Sequence, residues 1–232
     1  MFRFKHFSVE QNRCAMKVGT DGVLLGAWVP VRDTDRRVLD IGTGTGLIAL
    51  MLAQRTTAAR ITALDVDPAC AEQARENADA SPWGDRIETV CAPVQAFGAE
   101  PFDLIVSNPP FYDNSLPSPD AARTTARHTA SLPFAELLDA VGRLLAPEGR
   151  FALILPAEEA RRFRMLASRS LWLEARTDVR TTPRSGVRRS LMLFGRRPSE
   201  TFPEPEVLTV QTAPECFTPE YRALTADFYL KF

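Results

Sequence analysis

Three glycines alternate with other residues between an apolar β-branched run, Arg37-Val38-Leu39-Asp40-Ile41, and an apolar helix-favouring run, Leu47 to Gln54, giving Asp40-Ile41-Gly42-Thr43-Gly44-Thr45-Gly46. Each glycine would weaken a helix start by about 1 kcal/mol, so three together need a physical reason. They permit positive φ values and let a ligand come close to the main chain. Either use places a strand, a tight loop and a helix in succession, with the ligand at the carboxyl edge of a layered α/β fold. The chain continues in that rhythm. The β-rich run Arg60 to Asp65 precedes a helix from about Pro68, which suits a first turn, to Ala80, before Ser81-Pro82. Further β-rich runs are Arg86 to Cys91, one from Phe102 that ends at Asn108, Arg150 to Leu155, Leu171 to Thr181 and Val187 to Gly195. Helical segments cover Phe134 to Leu145 and Ala157 to Ser170. This alternation predicts a mostly parallel sheet with helices on both faces. Thr182-Pro183-Arg184-Ser185-Gly186 is a turn-forming string, so the last two β runs are expected to pair as a closing antiparallel hairpin.

With 232 residues, 45% hydrophobic, 25% charged and a formal net charge of -1, the chain suits one soluble domain with at most an appendage. Residues 1–35 form an N-terminal segment, 36–197 the body, and 198–232 a proline-containing tail expected to pack back on it. A strongly basic field over the whole protein is excluded. Cys14, Cys70, Cys91 and Cys216 lie far apart without a C-x-x-C pair, so neither a zinc site nor a disulfide framework is indicated, and no metal is expected. The N-terminus has no apolar signal core and the longest aliphatic stretch is Leu47 to Ala53, so a cytoplasmic protein that does not enter a membrane is expected. The polar stretch Tyr112 to Ser131 is too long for a mere connector and reads as a substrate-facing lid.

Asn108-Pro109-Pro110-Phe111 stands where a buried strand runs out. Two prolines cannot continue a strand, so they set a rigid turn with an amide at its first position and a ring at its last. An amide oxygen, a proline carbonyl and a flat ring match a planar group bearing an exocyclic amine, such as adenine. The alternative is a proline-rich loop whose phenylalanine caps the core. In the glycine loop, Asp40 supplies a carboxylate able to pair with a cationic amino group, and Asp65, nineteen residues after Gly46, can accept both hydroxyl hydrogens of a ribose. Gly44-Thr45-Gly46-Leu47-Ile48-Ala49 also fits the G-x-G-x-x-A dinucleotide pattern, which keeps an NAD-type oxidoreductase open. Asp40, the spacing of Gly42, Gly44 and Gly46, and the Asn-Pro-Pro-Phe turn favour S-adenosylmethionine.

With these motifs in this order, the chain resembles the class I S-adenosylmethionine-dependent methyltransferases that methylate amines. The stretch from Arg13 to Trp28, Ala126-Arg127-His128-Thr129, Phe217-Thr218-Pro219-Glu220-Tyr221 and Asp227-Phe228-Tyr229-Leu230 are similar to the bacterial valine-tRNA adenine N(6)-methyltransferase family, which modifies the adenine beside the anticodon. The resemblance implies a Rossmann-like, seven-stranded, mostly parallel sheet with an antiparallel closing hairpin. It also implies a donor over Gly42, Gly44 and Gly46, and an N-terminal segment, with Lys17 and Thr20, that closes over the donor. One departure is Cys91-Ala92-Pro93-Val94, because Pro93 stands where many relatives have an aspartate that accepts from the donor's adenine amine. A proline can neither donate from its backbone nor accept with a side chain, so that contact falls to backbone groups or apolar packing.

The expected chemistry follows from the turn. An adenine amine is a weak nucleophile because its lone pair is delocalised into the ring. Hydrogen bonds to the Asn108 side-chain oxygen and the Pro109 carbonyl free that pair and strengthen as positive charge develops on nitrogen. Pro110 holds the turn, and Phe111 stacks on a flipped base, worth about 1 to 3 kcal/mol. From Arg161 to Arg197 there are eleven arginines against two acids, which suits a tRNA backbone footprint. Arg184, Arg188 and Arg189 flank the hairpin turn and are the foremost candidates, with Arg127 and His128 as further substrate contacts. No obligatory protein partner is expected. Substrates left open are a ribosomal-RNA base, DNA adenine and a protein glutamine amide. Against DNA, no separate target-recognition domain is evident. Against glutamine, only about 35 residues precede the first strand.

Overall fold

The computed structural model describes residues 1–110, 132–198 and 203–231. Phe111, Arg127 and His128, and the expected lid around them, lie outside the described residues. A short hairpin, β1 (Phe2–Arg3) and β2 (Ser8–Val9), and a helix, α1 (Thr20–Trp28), precede the body. The body runs β3 (Arg37–Ile41), α2 (Leu47–Arg55), β4 (Arg60–Asp65), α3 (Pro68–Asp79), β5 (Ile87–Cys91) and β6 (Phe102–Ser107). After the undescribed stretch come α4 (Phe134–Leu144), β7 (Leu145–Pro156), α5 (Ala157–Ala167), β8 (Trp172–Arg180) and β9 (Arg189–Gly195). The tail supplies β10 (Glu206–Thr209), β11 (Gln211–Ala213), β12 (Cys216–Phe217) and α6 (Pro219–Thr225).

One sheet holds eight of these strands in the order β10-β8-β9-β7-β6-β3-β4-β5. Every pairing in it is parallel except the two made by β9, with β7 and with β8. The expected hairpin is therefore present, but the sheet does not end there. Glu206–Thr209 adds an eighth strand parallel to β8, Leu208 opposite Val179, so the tail is more structured than an extended strap. Buried Leu208 joins Val179, Leu191 and Tyr221 in one apolar cluster, which covers an edge that β8 would otherwise leave unpaired.

Alternate side chains of the central strands face opposite layers, both buried. Leu39, Ile41, Ile105, Phe151 and Leu153 pack with α4 and α5 through Leu137, Val141 and Phe163. Val38, Leu104, Val106, Ala152 and Ile154 pack with α1 and α2 through Leu24, Leu25, Ile48 and Leu52. Asp67 caps α3 by accepting from the Ala69 amide at 2.8 Å, with Pro68 in the first turn as expected. Among the described residues, no helix is long and apolar enough to cross a membrane, and no three His, Cys, Asp or Glu side chains converge as a metal site. The four cysteines are free thiols.

Candidate active site

Because β3 to β6 are mutually parallel, the segments that follow them gather at one edge of the sheet. The order changes direction at β3, which has β4 on one side and β6 on the other, and such a switch point leaves a crevice for a ligand. The glycine loop leaves β3 there. Its Gly42 and Thr43 amides donate to the Leu64 carbonyl of β4 at 2.8 and 3.0 Å. Gly42, Gly44 and Gly46 have φ of 71°, 57° and 81°, all in the left-handed region that favours glycine. The three differ in what surrounds them. A Cβ on Gly42 or Gly44 would meet nothing within 4 Å, whereas one on Gly46 would lie 3.3 Å from Ala74 of α3. The first two glycines keep open space above the loop; the third lets two helices close together.

Asp65 ends β4 with its carboxylate turned to this space. One oxygen accepts from the Gly44 amide at 2.8 Å and the other from the Asp67 amide at 2.9 Å. Burial raises its pKa, and those two bonds oppose the rise. The carboxylate is thus fixed in orientation while only half-buried, as a ribose acceptor requires. Asp40 is placed differently. It is wholly buried, and one oxygen accepts from the Thr43 hydroxyl at 2.7 Å and the Ala49 amide at 3.2 Å. The other oxygen is buried without a partner, and burial pushes the carboxyl up to about 7 against the two bonds that pull it down. In this arrangement Asp40 braces the loop against α2 from beneath.

Ser107 stands directly opposite Ile41 in the β3–β6 register, and its hydroxyl donates to the Ile41 carbonyl at 2.9 Å. The Asn108 turn and the glycine loop therefore leave adjacent strands at the same level. Pro109 is buried, Pro110 is exposed, and Asn108 is half-buried. No hydrogen bond holds the Asn108 amide among the described residues.

The N-terminal segment reaches the same edge through Asn77 of α3. The Asn77 side chain accepts from the Glu10 amide at 2.8 Å and donates to the carbonyls of Glu10 and Thr45 at 2.8 and 2.9 Å, joining the segment to the glycine loop. The Lys17 ammonium donates to the Gln11 and Cys14 carbonyls, so it organises the segment's own turn. Thr20 opens α1. Asn77 carries no sequence signal, since a buried asparagine on a helix resembles any other. Ser107 and exposed Val66, beside Asn108 and Asp65, were legible only as neighbours of motif residues.

The basic region is smaller than its arginine count. Arg161, Arg162, Arg176 and Arg197 are paired with Glu158, Glu159, Asp178 and Glu148. Arg189 donates from Nε to Asp21 of α1 at 2.7 Å, so part of its charge serves to hold that helix. Arg184 and Arg188 are exposed and have no ion pair among the described residues.

Residues 15–156 match the methyltransferase small domain family. A tRNA1(Val) (adenine(37)-N6)-methyltransferase from Flavobacterium johnsoniae is 47% identical over the full length of both chains. The protein of that description from Tolumonas auensis is 45% identical over 99% of this chain and 97% of its own. Among solved structures, a predicted O-methyltransferase from Agrobacterium tumefaciens superposes with a TM-score of 0.71 over 90% of this chain and 96% of its own, at 21% identity, a likeness of fold alone. TrmN from Thermus thermophilus superposes with a TM-score of 0.51 over 70% of this chain and 44% of its own, at 24% identity. Motif order, a strand order that switches direction at β3 and relatives matched from end to end agree, and the chain belongs to the tRNA1(Val) (adenine(37)-N6)-methyltransferase family within the methyltransferase small domain proteins.

Proposed function

We propose that this protein methylates N6 of an adenine in tRNA, the one beside the anticodon of valine tRNA, with S-adenosylmethionine as methyl donor. The observation that carries the proposal is the Ile41–Ser107 register pair, which sets a loop built for a nucleoside-bearing ligand beside a turn built for a planar amine. The residues fit the donor: open space above Gly42 and Gly44, an oriented half-buried carboxylate at Asp65, and apolar Val66 exposed beside it. Backbone groups and apolar surface near Ala92 are left to receive its adenine, since Pro93 uses its carbonyl on the Ala96 and Phe97 amides.

When bound, the donor supplies an electrophilic methyl group on a sulfonium. Asn108 Oδ1 and the Pro109 carbonyl accept the two amine hydrogens, and buried Pro109 keeps that carbonyl from turning away. Both acceptors gain strength as the nitrogen becomes positive, so their contribution is biased toward the transition state. The proton leaves to water, and no strong general base is needed. Phe111, which closes the Asn-Pro-Pro-Phe motif, is assigned the face of the flipped base.

The test is transfer of tritiated methyl groups to total tRNA from a strain lacking the protein, followed by nucleoside analysis. Label in N6-methyladenosine from valine tRNA is the expected result. Label confined to ribosomal RNA, DNA or a protein glutamine would overturn the substrate, and co-purification of NAD would overturn the chemistry.

A further inference from the structure

A cavity of about 660 Å³ opens beside the β8–β9 turn, a size typical of small-ligand sites. Neither the glycine loop, nor Asp65, nor Asn108 to Pro110 lines it. Its walls come from separated parts of the chain: Phe2 of β1, Thr20 of α1, Thr181 and Arg188 at the two ends of the turn, and Gln211 and Phe217 of β11 and β12. It lies at the same carboxyl edge as the active site. Ser107 faces Leu153 of β7, and three residues farther along β7 Pro156 faces Arg189, next to Arg188. At strand spacings that is roughly 10 Å along the sheet and 10 Å across it from the Asn108 turn.

The lining is chemically mixed in a particular way. Phe2 is a partly exposed ring tilted against Phe4, Phe217 is stacked on Tyr221 with ring centroids 5.3 Å apart, Arg188 is an exposed guanidinium, and Gln211 offers a partly exposed primary amide. A purely apolar occupant would leave the guanidinium and amide unused, and an inorganic anion would leave the Phe2 ring unused. One nucleotide uses all three, through stacking, a phosphate contact and a base edge that can both accept and donate. We propose that this cavity holds one nucleotide of the RNA substrate other than the reacting adenine, with its phosphate on Arg188 and its base edge against Gln211. The inference rests on the tRNA methylation reading and makes the tail part of substrate selection, since β11 and β12 supply two of the walls.

A two-way cycle tests it. Wild type, Gln211→Ala and Arg188→Ala are assayed on valine tRNA transcripts in which each nucleotide flanking the target adenine is made abasic in turn. One abasic position should raise the wild-type KM for RNA about tenfold with kcat little changed. Gln211→Ala should raise KM on intact RNA by a smaller factor and weaken binding no further on that abasic transcript, because the missing base takes with it the edge contact that Gln211 makes. S-adenosylmethionine affinity and melting temperature check that each variant is folded, and if Gln211→Ala is not, Arg188→Ala decides the matter against tRNA carrying an uncharged methylphosphonate at that same nucleotide, where it should weaken binding no further. Effects that multiply independently at every flanking position overturn the pocket alone. A wild-type protein that methylates no tRNA overturns the functional reading and the pocket with it.

Discussion

The amide of Asn108 is half-buried, has no hydrogen-bond partner among the described residues, and follows a strand that is hydrogen-bonded to the base of the glycine loop. In the proposed mechanism an acceptor in that position matters most when the amine becomes positive. Asn108→Ala should lower kcat by roughly a hundredfold or more, in the range for removal of one transition-state hydrogen bond, while donor affinity measured by calorimetry barely changes. Asp40 differs from this side chain in kind. Its place in the motif suggests a cationic amino group as partner, yet in the fold its carboxyl is sealed beneath the loop with one oxygen unpartnered. Its folded pKa, about 7, lies above that of an exposed aspartate because burial disfavours the charge. A raised acid binds a proton in the native state that the unfolded chain releases, so its contribution to stability is complete below about pH 4 and declines as pH rises to about 7. Urea unfolding should show wild type losing stability across that window relative to Asp40→Asn, whose amide cannot titrate. A constant difference would show that Asp40 is ionised in the fold.

At the scale of elements, the three loop glycines share one backbone conformation and serve two purposes. Gly46 has φ of 81° and lies against Ala74 of α3, so Gly46→Ala should cost about 1 to 3 kcal/mol of stability in a urea titration through strain and crowding together. Gly42 has a similar φ but nothing near a Cβ, so Gly42→Ala should reduce stability through backbone strain alone and show its larger effect in donor affinity, because the methyl group enters the open space proposed for the donor. The motif announced the loop; it did not distinguish the glycines, because that depends on which helix packs over each. The body's strands and helices were legible for a related reason: their hydrophobic periodicity is local. The tail strand was not. Glu206–Thr209 is four residues long and follows prolines, and it becomes a strand only because β8 presents a free edge and the core accepts Leu208.

In the whole molecule, the N-terminal segment, the body and the tail are tied together by polar contacts at long range. Arg150 of β7 is almost fully buried and donates to the Pro30 carbonyl at 2.7 Å and to both oxygens of Asp35, at 2.8 and 2.6 Å. Asp35→Ala would leave a buried guanidinium without its counter-charge and should cost about 3 to 5 kcal/mol in denaturant unfolding. Electrostatics toward RNA are also decided at this scale. Neutralising Arg184 and Arg188 should flatten the salt dependence of tRNA binding by about one unit of slope for each phosphate that is no longer neutralised. Arg189 belongs to a separate variant, because removing it also unpairs Asp21 of α1. By itself the sequence determined the layered α/β architecture, the positions of the glycine loop and the proline turn at strand ends, and the family. These are readable because glycine, proline and the apolar period act on the chain within a few residues. Only the tertiary structure decided that Asp40 is a buried brace, that many of the eleven arginines are already occupied, and that the tail completes the sheet and walls a second cavity. Those outcomes depend on desolvation and on partners far away in sequence, which no local pattern encodes.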